Sequence, residues 1–488
     1  MSIATVIKVL GNLLIFMAFI LAVPAGVAWH DQVDDFQAFV KSAILCLSVG
    51  LIFKITFRKQ EMVFSVKEGF AIVTFGWILL SLFGCLPFVF TNLPGYQMSF
   101  TDSFFETMSG ITTTGATVIN DIEALPRGLL LWRSLTHWIG GMGVIVLFLA
   151  ILPAMGAGGF QLFRAEIPGP SKDRLSPKIA NTAKTLWVIY LVLTCLCALS
   201  LWSADMGMFD AINHAFSTIA TGGFSTKNAS IGHFENWKID VIVTCFMFLS
   251  GCNFILFIHL IKRRWHIIYF NEELRLYSAL VLFGITFTTL MLYFRESSGS
   301  FLQYLREASF QIVCIITSTG YSTADYDLWP LACQFFILLL MFTGACAGST
   351  SGGMKVFRVL ITLKIAKREI KQLLHPRAVI PLKIDGENIG ESLLRVILGF
   401  VSIFILLLGF FIFIIVLIEG DRFNLTSLFS ICVACLSNIG PALDQFGPTD
   451  NYSALTDLSK WILSFMMLLG RLELYSVLVV LQRDIWKR

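Results

Sequence analysis

The sequence predicts an all-α polytopic membrane protein in which four pseudo-repeated units surround one pore, preceded by two extra N-terminal spans. Three observations predict it. Apolar runs of spanning length recur along the chain, short Ser/Thr-rich runs ending in glycine lie between them, and basic residues alternate between connections. Of 488 residues, 56% are hydrophobic and 14% charged, with a mean hydropathy of +0.77. A soluble domain carries about 25% charged residues. A cytosolic enzyme, a disordered chain and a fibrous protein are therefore excluded. The net charge of +4 is too small to indicate nucleic acid.

A span needs about 20 apolar residues, which leaves room for roughly ten. Long runs centre near 9–28, 38–56, 69–90, 134–152, 185–203, 239–261, 277–294, 331–360, 393–418 and 460–482. The first lacks a small-residue cleavage site and is expected to persist as a span. Shorter runs near 102–114, 210–222, 304–319 and 424–439 suit re-entrant segments. With the N-terminus inside, the inward connections 54–67, 164–184, 262–275, 355–383 and 483–488 hold 24 Lys and Arg. The outward ones, 29–37, 91–133, 203–240, 295–328 and 419–460, hold 8. This alternation follows the positive-inside rule only if each short run enters and leaves on the outer side. Both termini are then cytoplasmic.

The short runs form an internal repeat. The first begins at Asp102 and ends Thr112-Thr113-Thr114-Gly115. The second begins at Asp210 and ends Thr221-Gly222-Gly223-Phe224-Ser225-Thr226. The third ends Thr317-Ser318-Thr319-Gly320-Tyr321-Ser322-Thr323, and the fourth Ser437-Asn438-Ile439-Gly440-Pro441. Runs one and two place a glycine 13 residues after the aspartate. That aligns Gly223 with the others, with the register through Gly222 left open. The expected organisation is two N-terminal spans (1–66) followed by repeats over 67–160, 161–270, 271–380 and 381–488.

Backbone without regular hydrogen bonds survives at membrane depth only where it is buried or lines an aqueous path. Rings of carbonyls can replace an ion's hydration shell. Glycine permits the dihedrals that turn successive carbonyls to one side, and a half-helix C-terminus adds partial negative charge. All three favour a cation. The bland reading, tight turns between packed helices, does not explain four copies in register.

These four motifs resemble the filter loops of the TrkH/TrkG/KtrB superfamily of potassium translocation subunits, and the two extra N-terminal spans resemble its TrkH/TrkG branch. The resemblance implies potassium uptake across the bacterial inner membrane. The carbonyls of Thr113, Thr114, Thr221, Gly222, Ser318, Thr319, Asn438 and Ile439 would hold K+, and Gly115, Gly223, Gly320 and Gly440 would make the turns. The fourth loop departs from the Thr-x-Gly theme, which leaves four-fold equivalence of the oxygens in question. The resemblance also implies a homodimer, a cytosolic TrkA-like ring that binds NAD or ATP, and no covalent cofactor.

Gly344-Ala-Cys-Ala-Gly348-Ser-Thr-Ser-Gly352-Gly353 predicts an unwound intramembrane segment, since each glycine costs about 1 kcal/mol in a helix interior. A small-residue helix contact is the alternative. Arg471 interrupts the last run, where a charge is costly and faces a cavity or partner. It reads as a barrier to cations below the loops, or as half of a structural ion pair. The resemblance implies that the glycine-rich segment is a gate and that Arg471 touches it. Glu473, two residues on, is a poor partner for Arg471 on a continuous helix.

The remaining features read more plainly. His137 is expected to be packed. Glu106 and His214 are either solvated or tune the outer mouth. The stretch from Lys364 to Lys371 is a solvated face near acidic lipid headgroups or a dock for a cytosolic subunit. The eleven cysteines lie in apolar stretches, so no structural disulfide is expected, and Cys432-x-x-Cys435 reads as packing. Two other functions would leave different marks. A symporter coupled to sodium or protons would place a carboxylate on the path. A membrane enzyme would cluster its histidines, and the seven here are scattered.

Overall fold

The computed structural model describes residues 1–33, 35–59, 65–91, 97–143, 179–295 and 299–486. The end of the expected span at 134–152 and most of the connection 164–184 lie outside the described residues. Six described helices are long and apolar enough to cross a membrane: Ile3–Asp31, Asp35–Thr56, Lys67–Phe90, Ala183–Ser203, Glu272–Arg295 and Glu391–Glu419. Helical backbone also covers 127–143.

The short runs form helices Phe100–Ile111, Met208–Ile219, Phe301–Ile316 and Leu425–Ser437. Ser99 and Ser300 cap the first and third through the amides of Asp102 (3.0 Å) and Gln303 (3.2 Å). At 12 to 16 residues and 1.5 Å per residue, none crosses a bilayer.

Packing among these elements is cyclic. The second half-helix lies against Ile179–Ser203 and Trp237–Ser250. The third lies against Glu272–Arg295, Leu331–Thr343 and the preceding Trp237–Ser250. The fourth lies against Glu391–Glu419, Asp457–Arg471 and the preceding Leu331–Thr343. The first half-helix packs on Val66–Gly84 and on Asp457–Arg471 from the far end of the chain, which closes the circle. The N-terminal helices stand outside it and cross closely at Gly11 and Gly50, where a Cβ on either would meet the other's backbone oxygen.

Three apolar runs are broken, two of them expected to be straight. The run at 239–261 bends by 94° between Ser250 and Phe254, where Asn253 accepts the amide of Ile255 (2.9 Å) and starts a new helix. The run at 460–482 bends by 115° after Arg471, with Glu473 and Leu474 at φ +52° and +56°. The run at 331–360 is helical to Thr343, irregular over 344–355 and helical again over Val356–Leu374. The first two breaks remove two of the uninterrupted spans the sequence suggests, and the third is the interruption it predicts. Among the described residues, the one β-hairpin pairs Lys383–Ile384 with Glu387–Asn388. Its turn residues Asp385 and Gly386 both have positive φ, as a tight hairpin turn requires.

Candidate functional site: a closed ring of four loops

Each half-helix ends in the same way. Thr113, Thr221, Ser318 and Asn438 adopt left-handed backbone, with φ of +55°, +54°, +53° and +54°. The following amides, of Thr114, Gly222, Thr319 and Ile439, reach back five residues to the carbonyls of Ser109, Ser217, Cys314 and Ala434 at 2.8–3.0 Å. This is a Schellman ending, usually built on glycine. Threonine and serine there cost about 1–2 kcal/mol each, and such strain persists only where the surroundings over-determine it. Asparagine tolerates the conformation better, which rationalises Asn438 in the fourth loop.

One residue further on, Gly115, Gly223, Gly320 and Gly440 have φ of +84°, +85°, +85° and +92°. Gly223 therefore takes the turn position, and Gly222 stands level with Thr114, Thr319 and Ile439. The fourth loop's departure lies in its side chains, while its backbone matches the other three.

The four loops meet. A Cβ on Gly115 would strike the carbonyl oxygen of Gly222; on Gly223, that of Thr319; on Gly320, that of Ile439; and on Gly440, that of Thr114. The contacts run one to two to three to four and back to one. The oxygens of Thr114, Gly222, Thr319 and Ile439 thus form one closed level. A cavity opens on one side of it, bounded by the four glycines together with Asp450 and Tyr452.

Side chains behind the loops brace the extended returns. Glu106 is buried and pairs with Arg133 (2.8 Å), so it is not solvated, and Arg133 borders the cavity. His214 contacts Ser225 Oγ (2.9 Å) through Nε2 and the Asp210 carbonyl (2.8 Å) through Nδ1. Gln311 donates to the Ala324 carbonyl (3.1 Å). His137 is packed, against Ser217 (2.9 Å) and stacked on Phe224. Asn438 Nδ2 donates to Thr114 Oγ1 (3.0 Å) and to the Met467 carbonyl (2.8 Å), tying the fourth loop to the first.

Across the ring from the cavity lies the irregular segment 344–355. Ser318 Oγ accepts the Gly352 amide (2.7 Å) and contacts Ser351 Oγ (3.1 Å). Thr221 Oγ1 contacts Thr350 Oγ1 (3.3 Å). Gly344, Gly348 and Gly353 have φ of +66°, +70° and +78°, so three of the four predicted glycines serve positive-φ turns. Gly352 instead abuts the Ser437 carbonyl. The segment is laced to the bent second-repeat helix: Cys346 donates to the Gly251 carbonyl (3.0 Å), and Phe254 to that of Gly348 (3.1 Å).

Arg471 donates to the carbonyls of Thr350 (2.6 Å) and Gly140 (2.7 Å). Glu473 turns away on the broken helix and pairs with Arg358. Two residues escaped the sequence reading. Lys355 is buried and donates to the Ser351 carbonyl, and Glu273 accepts the Ala347 amide (2.5 Å). Both sit at helix starts, where nothing in the local sequence marks a buried charge.

The family model for TrkH, described as a cation transport protein, matches residues 35–486. The Trk system potassium uptake protein TrkH of Salmonella typhimurium strain LT2 is 40% identical over 489 residues, covering 100% of both chains. The Trk system potassium uptake protein TrkG of Escherichia coli K12 is 36% identical over 466 residues, covering 94% of this chain and 93% of its own. The crystal structure of the potassium transporter TrkH from Vibrio parahaemolyticus matches with a TM-score of 0.88 at 36% identity, with 100% of each chain covered.

Proposed function

Since the chain belongs to the TrkH family of cation transport proteins, we propose that it takes up potassium through the ring formed by its four glycine-bearing loops. It is a multi-pass membrane protein and not an enzyme. The observation that carries the reading is ring closure: each loop's glycine abuts the next loop's carbonyl oxygen, through all four loops. An ion at the centre would meet oxygens from Thr114, Gly222, Thr319 and Ile439 at one level, and from Thr113, Thr221, Ser318 and Asn438 at the next. Peptide oxygens then replace hydration water, and no carboxylate is needed.

The segment 344–355 is the gate in this reading. Its hydroxyl and amide contacts to Thr221 and Ser318 hold it against the ring. Arg471 pins it through the Thr350 carbonyl and sets a positive charge beside the path, which raises the barrier to a cation. Of the carboxylates near the ring and gate, Glu106 and Glu473 each face an arginine, Glu273 accepts the Ala347 amide and Asp450 borders the cavity; a gated channel is the reading proposed, with symport coupled to sodium or protons as its alternative. The cavity bounded by the four glycines is the outer mouth, the membrane is the bacterial inner membrane, and both termini are cytoplasmic, as the 24-to-8 distribution of basic residues supports. A second copy of the chain and a TrkA-like nucleotide-binding ring complete the assembly.

Liposomes holding the purified chain alone test this. Potassium-selective flux driven only by the potassium gradient is expected. Strict dependence on a sodium or proton gradient would replace the channel by a symporter, and unselective flux would end the filter reading.

A further inference from the structure

Three of the four junctions between neighbouring loops are braced by a buried, neutral tyrosine. Tyr321 Oη donates to the His214 carbonyl (3.1 Å) and joins units two and three. Tyr326 Oη donates to the Ala442 carbonyl (2.9 Å) and joins three and four. Tyr452 donates through its amide to the Thr117 carbonyl (2.8 Å) and through Oη to that of Gly440 (2.6 Å), joining four and one. The junction between one and two is built from charge instead.

There, Glu106 and Arg133 are each 1% exposed. Arg133 Nε donates to Glu106 Oε1 (2.8 Å), and Nη1 donates across the junction to the Ser225 carbonyl (3.0 Å). Its guanidinium lies over Phe224 at 4.1 Å from the ring centroid. Glu106 in turn accepts the Val118 amide (3.0 Å) and the Thr117 hydroxyl (3.0 Å). One ion pair therefore grips the first return strand at Thr117 and Val118 and the second at Phe224 and Ser225, within two or three residues of Gly115 and Gly223. Counting back nine residues from each loop glycine gives Glu106, His214, Gln311 and Ile431. Repeat one alone places an acid there.

We propose that Glu106 and Arg133 are positioning residues for ion selectivity, setting the separation of the first and second loops and hence the width of the carbonyl ring. This rests on the filter reading above. A buried ion pair contributes little net stability compared with an apolar pair of the same volume, but a planar guanidinium fork fixes direction where a hydroxyl allows rotation. Lysine keeps the charge and loses the fork, so Arg133→Lys can hold Glu106 or the Ser225 carbonyl but not both in the present geometry. Glu106→Gln keeps the shape and an acceptor for Val118, yet leaves the arginine buried without its counter-charge.

The test measures potassium-over-sodium permeability ratios from reversal potentials of the full chain in planar bilayers, with thermal unfolding of the same preparations. Arg133→Lys and Glu106→Gln are each expected to lower the ratio at least tenfold. Arg133→Lys is expected to stay folded, so it decides the matter if Glu106→Gln does not fold. A selective native chain with a well-folded Arg133→Lys of unchanged ratio overturns the positioning role and leaves the filter reading intact. A native chain without selectivity overturns the filter reading first, and this inference with it.

Discussion

Replacing any one loop glycine by alanine should damage the ring to the same degree as replacing any other. At Gly115, Gly223, Gly320 and Gly440 the φ values lie between +84° and +92°. An L-residue held there stores about 1–3 kcal/mol of strain. Each new Cβ would also overlap a carbonyl oxygen of the next loop, in turn those of Gly222, Thr319, Ile439 and Thr114. Relief to ordinary van der Waals distance moves that oxygen by about 1 Å. Tenfold selectivity corresponds to about 1.4 kcal/mol, so strain of this size is enough to erase one or two decades of discrimination. The assay is the potassium-to-sodium ratio from reversal potentials, with protein yield and monodispersity as the control for folding. Losses of tenfold or more at all four positions are expected. A large loss at Gly115 and Gly223 beside an unchanged ratio at Gly320 or Gly440, all four proteins being well folded, would refute the equivalence of the loops and with it the carbonyl ring.

Other perturbations reach different parts of the site. Arg471→Ala removes the donor to the Thr350 and Gly140 carbonyls and should raise potassium flux into liposomes several-fold; flux that is unchanged or lower in a folded variant would remove the barrier role. Ser318→Ala leaves the buried Gly352 amide without its acceptor, a loss of about 1–3 kcal/mol, and should raise flux and speed hydrogen exchange in 350–352. On the loops outside the spans, burial, reinforced by Asp325, Asp444 and Asp450, pushes the Asp327 carboxyl from its ordinary 3.8 up to about 6. Because the folded value is raised, charging Asp327 opposes folding. Stability should therefore fall as pH rises from about 4 to about 6 and level off above, by less than the ~3 kcal/mol that a shift of about two units carries in full, since solvent screens a partly exposed group. Asp327→Asn should flatten that part of a thermal-stability profile, and an unchanged profile would contradict the assignment.

The parts of this architecture legible in the sequence are those fixed by local chemistry. A half-helix too short to span, ending in glycine, is a statement about 12 to 16 consecutive residues, and it repeats four times. The glycine-rich break after Thr343 was legible for the same reason, since three of its glycines hold positive φ. The break after Arg471 was not. Leucine and glutamate at 472–474 carry no helix-breaking signal, and the bend has its partner elsewhere, in the pairing of Glu473 with Arg358, 115 residues away. The same limit hid Glu106. The sequence leaves it either solvated or tuning the outer mouth, whereas its surroundings are set by Arg133 and by backbone that returns 11 and 12 residues later. Left-handed backbone at Thr113, Thr221 and Ser318 was illegible too, because only Asn438 among the four is a residue type that favours it. Local pattern thus marks where the chain turns. What it turns against is decided by closure of the circle, in which the first half-helix packs on Asp457–Arg471, and closure is a property of the whole chain that no window of sequence contains.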